Sequence, residues 1–118
     1  MKEYLLLIRQ EGDPLEKASP EDQQRHVERF AGYIGDLLKA GKLKSAQPLE
    51  GGGKVVSGHG GAVKDGPFNE SKEVIAGYFL VAAENIDEAV EIARANPVFQ
   101  DPRATIEVRQ VRRLEGIN

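Results

Sequence analysis

The sequence contains no cysteine, and this absence excludes several kinds of site. Without a thiol the chain forms no disulfide, no thiolate metal centre and no cysteine nucleophile. A chain free of disulfides fits a reducing compartment. With only two histidines, a metal would depend on carboxylate ligands. Because no such ligand set stands out, we expect no metal site.

Long apolar runs are also missing. The first run, residues 4–8, is preceded by Glu3 and followed by Arg9. A signal-peptide core needs about 7–15 apolar residues, and a membrane-spanning helix needs about 20. We therefore expect a soluble cytoplasmic protein with no membrane partner.

A surplus of positive charge is absent as well. The chain has 16 Lys and Arg against 19 Asp and Glu, which gives a net charge of −3. The one basic cluster is interrupted by Glu107 and Glu115 and holds no aromatic residue. Its arginines are Arg103, Arg109, Arg112 and Arg113. Nucleic-acid surfaces usually show a stronger basic surplus, so the cluster favours a solvated edge or a dimer contact.

The glycines do not form a nucleotide-binding pattern. Residues 51–61 are rich in glycine but lack the order Gly-x-x-x-x-Gly-Lys-Ser/Thr of a phosphate loop. No Gly-x-Gly-x-x-Gly stands between a strand and a helix. We therefore expect no cofactor.

The chain has 118 residues, which fits a single domain, 1–118, that can bury a core without disulfides. The apolar run 4–8 predicts a strand central in a sheet. Ser19-Pro20-Glu21-Asp22 predicts a helix start, because Ser19 can cap free backbone N–H groups and proline suits the first helical position. Lys39 and Gly41 predict its end.

The first helix carries an apolar stripe at helical spacing. Its members are Val27, Phe30, Ala31, Ile34, Leu37 and Leu38. Two glycines, Gly32 and Gly35, weaken the helix propensity, and we expect them to allow close approach to the sheet.

The remaining elements follow in turn. Strands are predicted at residues 43–49, 54–57, 62–64 and 74–83, the last because β-branched and aromatic residues dominate it. Asn85, with Glu88 three residues on, predicts the cap of a second helix that ends near Asn96, before Pro97. Residues 105–111 alternate in polarity, which predicts a strand near the sheet edge.

The order β-α-β-β-α-β, with an irregular hairpin after the first helix, predicts an α+β ferredoxin-like sandwich. In this fold one antiparallel sheet carries two helices on one face. Strand residues on the opposite face then need a cover. Two-fold sheet-to-sheet pairing supplies one, so we expect a homodimer.

The centre of the chain carries a distinctive motif, Asp65-Gly66-Pro67-Phe68-Asn69-Glu70-Ser71-Lys72-Glu73. It precedes Gly77-Tyr78-Phe79-Leu80 and the Asp87-Glu88-Ala89 helix. With the apolar residues 4–8 and the closing Ile106-Glu107-Val108-Arg109, it resembles the DGPF branch of the YCII-related family. The family reads Ala at position 69 and Thr at position 71, and the resemblance covers essentially the whole chain.

The resemblance implies a ferredoxin-like protomer in a dimeric α/β barrel with a site in a cleft beside the sheet. It implies a catalytic pair of His and Asp in some members. The family His matches His26, whereas the family Asp aligns with Asn96, which can orient an imidazole but supplies no negative charge. A His–Asp pair would therefore need Asp101 or Asp65 as a substitute.

The candidate site residues are therefore His26 and Asn96 for catalysis and Tyr33, Asp65 and Phe68 for ligand binding. Each also has an ordinary structural interpretation. His26 can be a surface histidine, and Asp65 can open a turn that Phe68 anchors on the core. His59, flanked by glycines, is expected to lie in a surface loop.

Two functions remain open. One is a small-molecule enzyme of the isomerase or lyase type, with His26 as acid–base and Asn96 and Tyr33 as orienting groups. The other is a non-catalytic dimer that binds a ligand or partner through residues 65–73. The resemblance links some relatives to sigma-factor systems and transcription initiation, which fits that second role.

Overall fold

The structure is a computed structural model that describes residues 1–66 and 74–118. Phe68, a predicted ligand contact, lies outside the described residues. The helices are α1 (Pro20–Lys39) and α2 (Ile86–Arg94). The strands are β1 (Lys2–Gln10), β2 (Leu43–Pro48), β3 (Gly53–Val56), β4 (Val63–Gly66), β5 (Val74–Ala83) and β6 (Thr105–Gln110).

Four strands form one antiparallel sheet in the order β2-β5-β1-β6, and β3 and β4 form a separate hairpin. This order is that of the ferredoxin-like fold, which confirms the predicted fold class. The strands β1 and β6 take the central and edge positions expected of them. Strand β1 is longer than its apolar run and extends to Gln10.

Both helices begin with the predicted side-chain caps. The Oγ atom of Ser19 accepts a hydrogen bond from the backbone N–H of Asp22 at 3.1 Å. The Oδ1 atom of Asn85 accepts one from the backbone N–H of Glu88 at 2.9 Å. Each cap satisfies a donor that the first helical turn leaves free. Across the described residues, neither helix has the length and hydropathy to cross a membrane.

The core lies between the helices and one face of the sheet. It contains Tyr4, Leu6 and Ile8 of β1 with Phe79 and Val81 of β5. Helix α2 packs directly on β1, β5 and β6, whereas α1 packs mainly on β2 and on the short 3-10 turn Pro97–Gln100. No residue in the N-terminal half of α1, residues 20–29, is buried.

The stripe of α1 is only partly core. Of its members Leu37 is buried, while Val27 is 58% exposed and Leu38 is 59% exposed. The same helical spacing thus serves two environments, since the first half of the stripe faces a cleft.

The opposite face of the sheet also carries apolar side chains, and in the part of the chain that the structure describes they lie outside the core cluster. Leu5 pairs with Leu80 and Leu7 with Tyr78 across β1 and β5, and all four are half-buried. The molecule measures 19 Å in its thinnest direction, as expected for one sheet under one layer of helices about 10 Å in diameter.

The start of the central motif differs from its prediction. Asp65 and Gly66 lie in strand β4 and pair with Lys54 and Gly53 of β3. Asp65 is exposed and forms an ion pair with Lys54 across the hairpin. A Cβ on Gly66 would lie 2.6 Å from the Cγ2 atom of Val55. Glycine is therefore used at position 66 for space and not for an unusual turn conformation.

The close approach expected at Gly35 of α1 occurs instead at Gly77 of β5. A Cβ on Gly77 would lie 2.9 Å from the backbone oxygen of Gln47, whereas one on Gly35 would meet nothing within 4 Å.

These two glycines give a matched test of packing. We expect Gly77→Ala to lower the free energy of unfolding by about 1–3 kcal/mol, because the methyl group forces β2 and β5 apart. Gly35→Ala is expected to raise it by about 0.5–1 kcal/mol, since alanine costs less entropy in a helix. Urea denaturation of both variants measures the difference, and equal effects would contradict the close contact.

Candidate functional site

A cleft of about 580 Å³ lies between α1 and the sheet. Its α1 wall consists of His26, Val27, Phe30, Ala31 and Ile34. Strands β1, β2 and β5 form the floor, and Val98 of the turn Pro97–Gln100 closes one side. Most of this lining is apolar. Of the described residues that line the cleft, the polar side chains are those of Gln10, His26 and Gln47.

Helical spacing places His26 one turn before Phe30 on the cleft wall. The two ring centroids are 4.7 Å apart, with the planes tilted by 59°. This contact holds the half-buried imidazole against an aromatic surface and leaves part of it open to the cleft.

The surroundings of His26 favour the neutral imidazole. Burial lowers the pKa of His26 below its ordinary value, the positive charge of Arg29 lowers it further, and Asp13 acts in the opposite direction. Asp13 precedes α1, and its Oδ1 atom accepts a hydrogen bond from the backbone N–H of Leu15 at 2.9 Å. At neutral pH His26 can therefore accept a proton.

Tyr33 lies in the core behind the cleft and not among the described residues that line it. Its hydroxyl donates to the backbone oxygen of Ile92 at 2.7 Å, which satisfies a carbonyl in the last turns of α2. Its ring meets Phe79 edge-on, with centroids 5.4 Å apart. Burial raises the pKa of Tyr33 to about 12, and a contact with Asn96 opposes the rise.

Asn96 is also buried, at 2% exposure. Its Oδ1 atom accepts a hydrogen bond from the backbone N–H of Val98 at 2.9 Å and so starts the turn Pro97–Gln100. Its Nδ2 atom lies toward the Tyr33 hydroxyl but does not reach hydrogen-bond geometry with any described residue. Asn96 thus shapes the turn that supplies Val98 to the cleft.

Of the predicted site residues, the structure places His26 in the cleft wall. Asp65 sits on the exposed hairpin, and His59 forms part of a short 3-10 turn at the hairpin tip. Over residues 1–66 and 74–118, no group of three or more His, Asp and Glu side chains is arranged to hold a metal ion.

Sequence reasoning missed the cleft residue Gln10 and gave its neighbour Asp101 no secure role. Asp101 is 9% exposed, and its Oδ1 atom accepts from the backbone N–H of Arg103 at 2.9 Å. Its Oδ2 atom accepts from the Nε2 atom of Gln10 at 3.4 Å. The backbone N–H of Arg103 contributes most to lowering the pKa of Asp101. The available signal was the two-residue period of β1, which puts Gln10 on the face of Leu6 and Ile8.

The electrostatics of His26 are testable by NMR titration. We expect its imidazole to titrate below the ordinary pKa of about 6.5. Arg29→Gln is expected to raise that pKa, and Asp13→Asn to lower it further. An unshifted midpoint, or shifts of the opposite sign, would contradict the arrangement.

The same shift has a consequence for stability. As pH falls, His26 is protonated in the unfolded chain at about 6.5, before it is protonated in the folded protein. The free energy of unfolding therefore decreases as pH drops from about 6.5 toward the lower folded pKa.

Comparisons with known proteins agree with this fold. The sequence is 34% identical over 80 residues to "Uncharacterized protein R00369" of Rhizobium meliloti (strain 1021), a match that covers 64% of this chain and spans 58% of that protein. The structure resembles 5-chloro-2-hydroxyhydroquinone dehydrochlorinase (TftG) of Burkholderia phenoliruptrix AC1100, solved with 2,5-dihydroxybenzoquinone. The TM-score is 0.50 at 15% identity, with 94% of this chain and 96% of that chain covered, so the likeness concerns the fold.

The family assignment rests on a match over nearly the whole chain. The sequence model of the YCII-related domain matches residues 2–115. This range includes every strand and helix of the sandwich, the cleft and the central motif. The chain belongs to the YCII-related domain family.

Proposed function

We propose that the cleft is the active site of a small-molecule enzyme in which His26 acts as general base and acid. The observation that carries the proposal is the position of His26, a half-buried imidazole on the wall of a largely apolar cleft. Its lowered pKa keeps it neutral and ready to accept a proton.

The proposed reactions are those that need one proton acceptor, His26, in a largely apolar cleft. His26 takes a proton from a carbon beside a carbonyl group, and the electron pair of the broken C–H bond forms a new C=C bond. In an elimination, a leaving group departs from the next carbon with its bonding electrons. In an isomerisation of an unsaturated ketone, the C=C bond forms toward the carbonyl carbon while the C=O π electrons move onto the oxygen. The imidazolium then returns the proton at a different carbon as the C=O bond re-forms.

The walls suit a cyclic substrate. Phe30 and Phe79 line the cleft with Val98 and Ile34, and such surfaces pack well against a flat apolar ring. TftG, which shares the fold, is a dehydrochlorinase of a hydroxylated ring. We therefore choose small hydroxylated or carbonyl-bearing rings as the substrates to test.

In this proposal Asn96 and Tyr33 do not touch the substrate but hold the elements that form the cleft walls. Tyr33 ties α1 to α2 through the carbonyl of Ile92, and Asn96 sets the turn that carries Val98. These contacts support the spacing of the cleft, and neither side chain is needed as a proton carrier.

The second candidate is a non-catalytic dimer that binds a ligand or regulates a partner, in a system linked to transcription initiation. It is favoured because none of the described residues that line the cleft carries a carboxylate, and Asn96 replaces the expected acid. This candidate assigns Asp65 and Phe68 to contacts with the ligand or partner. It would be supported by a ligand that stabilises the protein without being converted.

We also propose that two copies pair through the open sheet face. Its apolar centre is formed by Leu5, Leu7, Tyr78 and Leu80. Burying such a face removes apolar surface from water at about 25 cal/mol per Å², and a two-fold axis lets one patch cover itself.

Replacing His26 tests the catalytic proposal. A panel of cyclic ketones and halogenated hydroxylated rings is screened for halide release and for solvent deuterium incorporation. We expect His26→Gln to reduce turnover by at least about 100-fold, because the proton acceptor is lost. His59→Gln, on the hairpin tip, is the matched control and is expected to keep wild-type turnover. Full activity of His26→Gln would overturn the proposal.

The dimer is tested by sedimentation equilibrium at micromolar concentrations. We expect the wild-type chain to have twice the monomer mass and Leu7→Lys to be monomeric, since the ammonium group cannot be buried unpaired. Val27→Lys places the same charge on the exposed cleft side and is expected to leave the dimer intact. A monomeric wild-type protein would contradict the proposal.

A further inference from the structure

Gln10 is a polar side chain in an apolar cleft. It is the last residue of β1, and the two-residue period of the strand puts it on the same face as Leu6 and Ile8. It is half-buried and lines the cleft together with His26. Apolar clefts commonly use a few such polar groups to fix the orientation of a ligand.

A buried carboxylate lies beside Gln10. Asp101 follows the turn Pro97–Gln100, and its side chain is 6% exposed. Its backbone N–H donates to the oxygen of Val98 at 3.0 Å, and its Oδ1 atom accepts from the backbone N–H of Arg103 at 2.9 Å. These two bonds fix the carboxylate, and the Nε atom of Arg103 adds a weaker charge contact at 3.5 Å.

The carboxylate decides which end of the Gln10 amide faces it. An ionised carboxylate only accepts hydrogen bonds, whereas a glutamine amide has an NH₂ donor and an oxygen acceptor. The Nε2 atom of Gln10 therefore points to the Oδ2 atom of Asp101, at 3.4 Å. The opposite orientation would place two acceptors against each other.

The oxygen of Gln10 is then left without a partner from the protein. Among the described residues, no donor bonds to its Oε1 atom. A ligand that displaces water from this half-buried oxygen without donating a hydrogen bond leaves it unpaired, which costs binding free energy. A ligand that donates to the oxygen avoids that cost and therefore binds more tightly.

We propose that Gln10, oriented by Asp101, selects ligands that present a hydroxyl or N–H donor to its Oε1 atom. Gln10 is thus a specificity-determining residue, and Asp101 is a positioning residue that acts through it. The ligand class is a neutral ring bearing a hydroxyl donor, in preference to a ring of the same shape that bears only carbonyl acceptors. The inference rests on the proposed use of the cleft and names the substrate class for it.

The test compares two rings of nearly equal size, cyclohexane-1,4-diol and cyclohexane-1,4-dione. Protein-observed NMR titration follows the resonances of His26 and Ala76, which both line the cleft. The quantity measured is the ratio of the two dissociation constants in each variant divided by the wild-type ratio. Dividing by the wild-type ratio cancels the different hydration of the two rings.

Asp101→Asn reverses the polarity of the amide. The Oδ1 atom of the new asparagine still accepts from the backbone N–H of Arg103, so its NH₂ group faces Gln10. Gln10 must then turn its own oxygen toward position 101 and its NH₂ toward the cleft. We expect the preference for the diol to fall about 3- to 10-fold, through tighter binding of the dione.

Gln10→Met removes the acceptor at similar length. It is expected to lower the preference by a similar factor, but through weaker binding of the diol. Asp36→Asn, an equal change of charge on the exposed side of α1, is the control and is expected to leave the ratio at the wild-type value. If Asp101→Asn does not fold, Gln10→Met alone decides the outcome.

An unchanged ratio in folded Asp101→Asn, or in Gln10→Met, overturns the proposed selection, as does failure of both rings to move the cleft resonances. These measurements distinguish failure of the proposed selection by Gln10 from failure of the catalytic proposal for His26. Full turnover by His26→Gln removes the catalytic role but leaves the ratios untouched. Loss of turnover with unchanged ratios keeps His26 and removes Gln10.

Discussion

The uneven support of α1 is the constraint on which the cleft depends. Its C-terminal half is fixed to the rest of the molecule by buried Leu37 and by Tyr33, whose hydroxyl bonds to the Ile92 carbonyl at 2.7 Å. Its N-terminal half, residues 20–29, contains no buried residue, and side chains from residues 26–34 border the cleft of about 580 Å³.

The turn after α2 is the second support of the site. The two buried polar residues of the described chain, Asn96 and Asp101, flank it. Asn96 starts the turn through the backbone N–H of Val98, and Asp101 ends it and contacts Gln10. Either an asparagine or an aspartate at position 96 can shape this turn, because both carry the side-chain oxygen that accepts from the backbone N–H of Val98.

The sequence predicts the sandwich well because local signals agree with one another. The cap at Ser19, the strand 74–83 and the alternating final strand all appear as expected. The cleft is harder to predict, since Val27 and Leu37 share one helical period although one lines a cavity and the other is core. Periodicity reports which face of a helix is apolar, and it does not report how far that face stands from the sheet.

The roles of Asp101 and Asp13 could not be derived from local sequence signals, because each acts on a residue elsewhere in the chain. The Oδ2 atom of Asp101 accepts from Gln10, 91 residues earlier in the chain, and the charge of Asp13, in the loop before α1, acts on His26. The negative charge of Asp13 raises the pKa of His26, whereas burial and the positive charge of Arg29 lower it. Because burial and Arg29 together outweigh Asp13, the imidazole rests in its neutral form. In the proposed reaction, His26 would therefore act first as base and would act as acid only after a proton has come from the substrate.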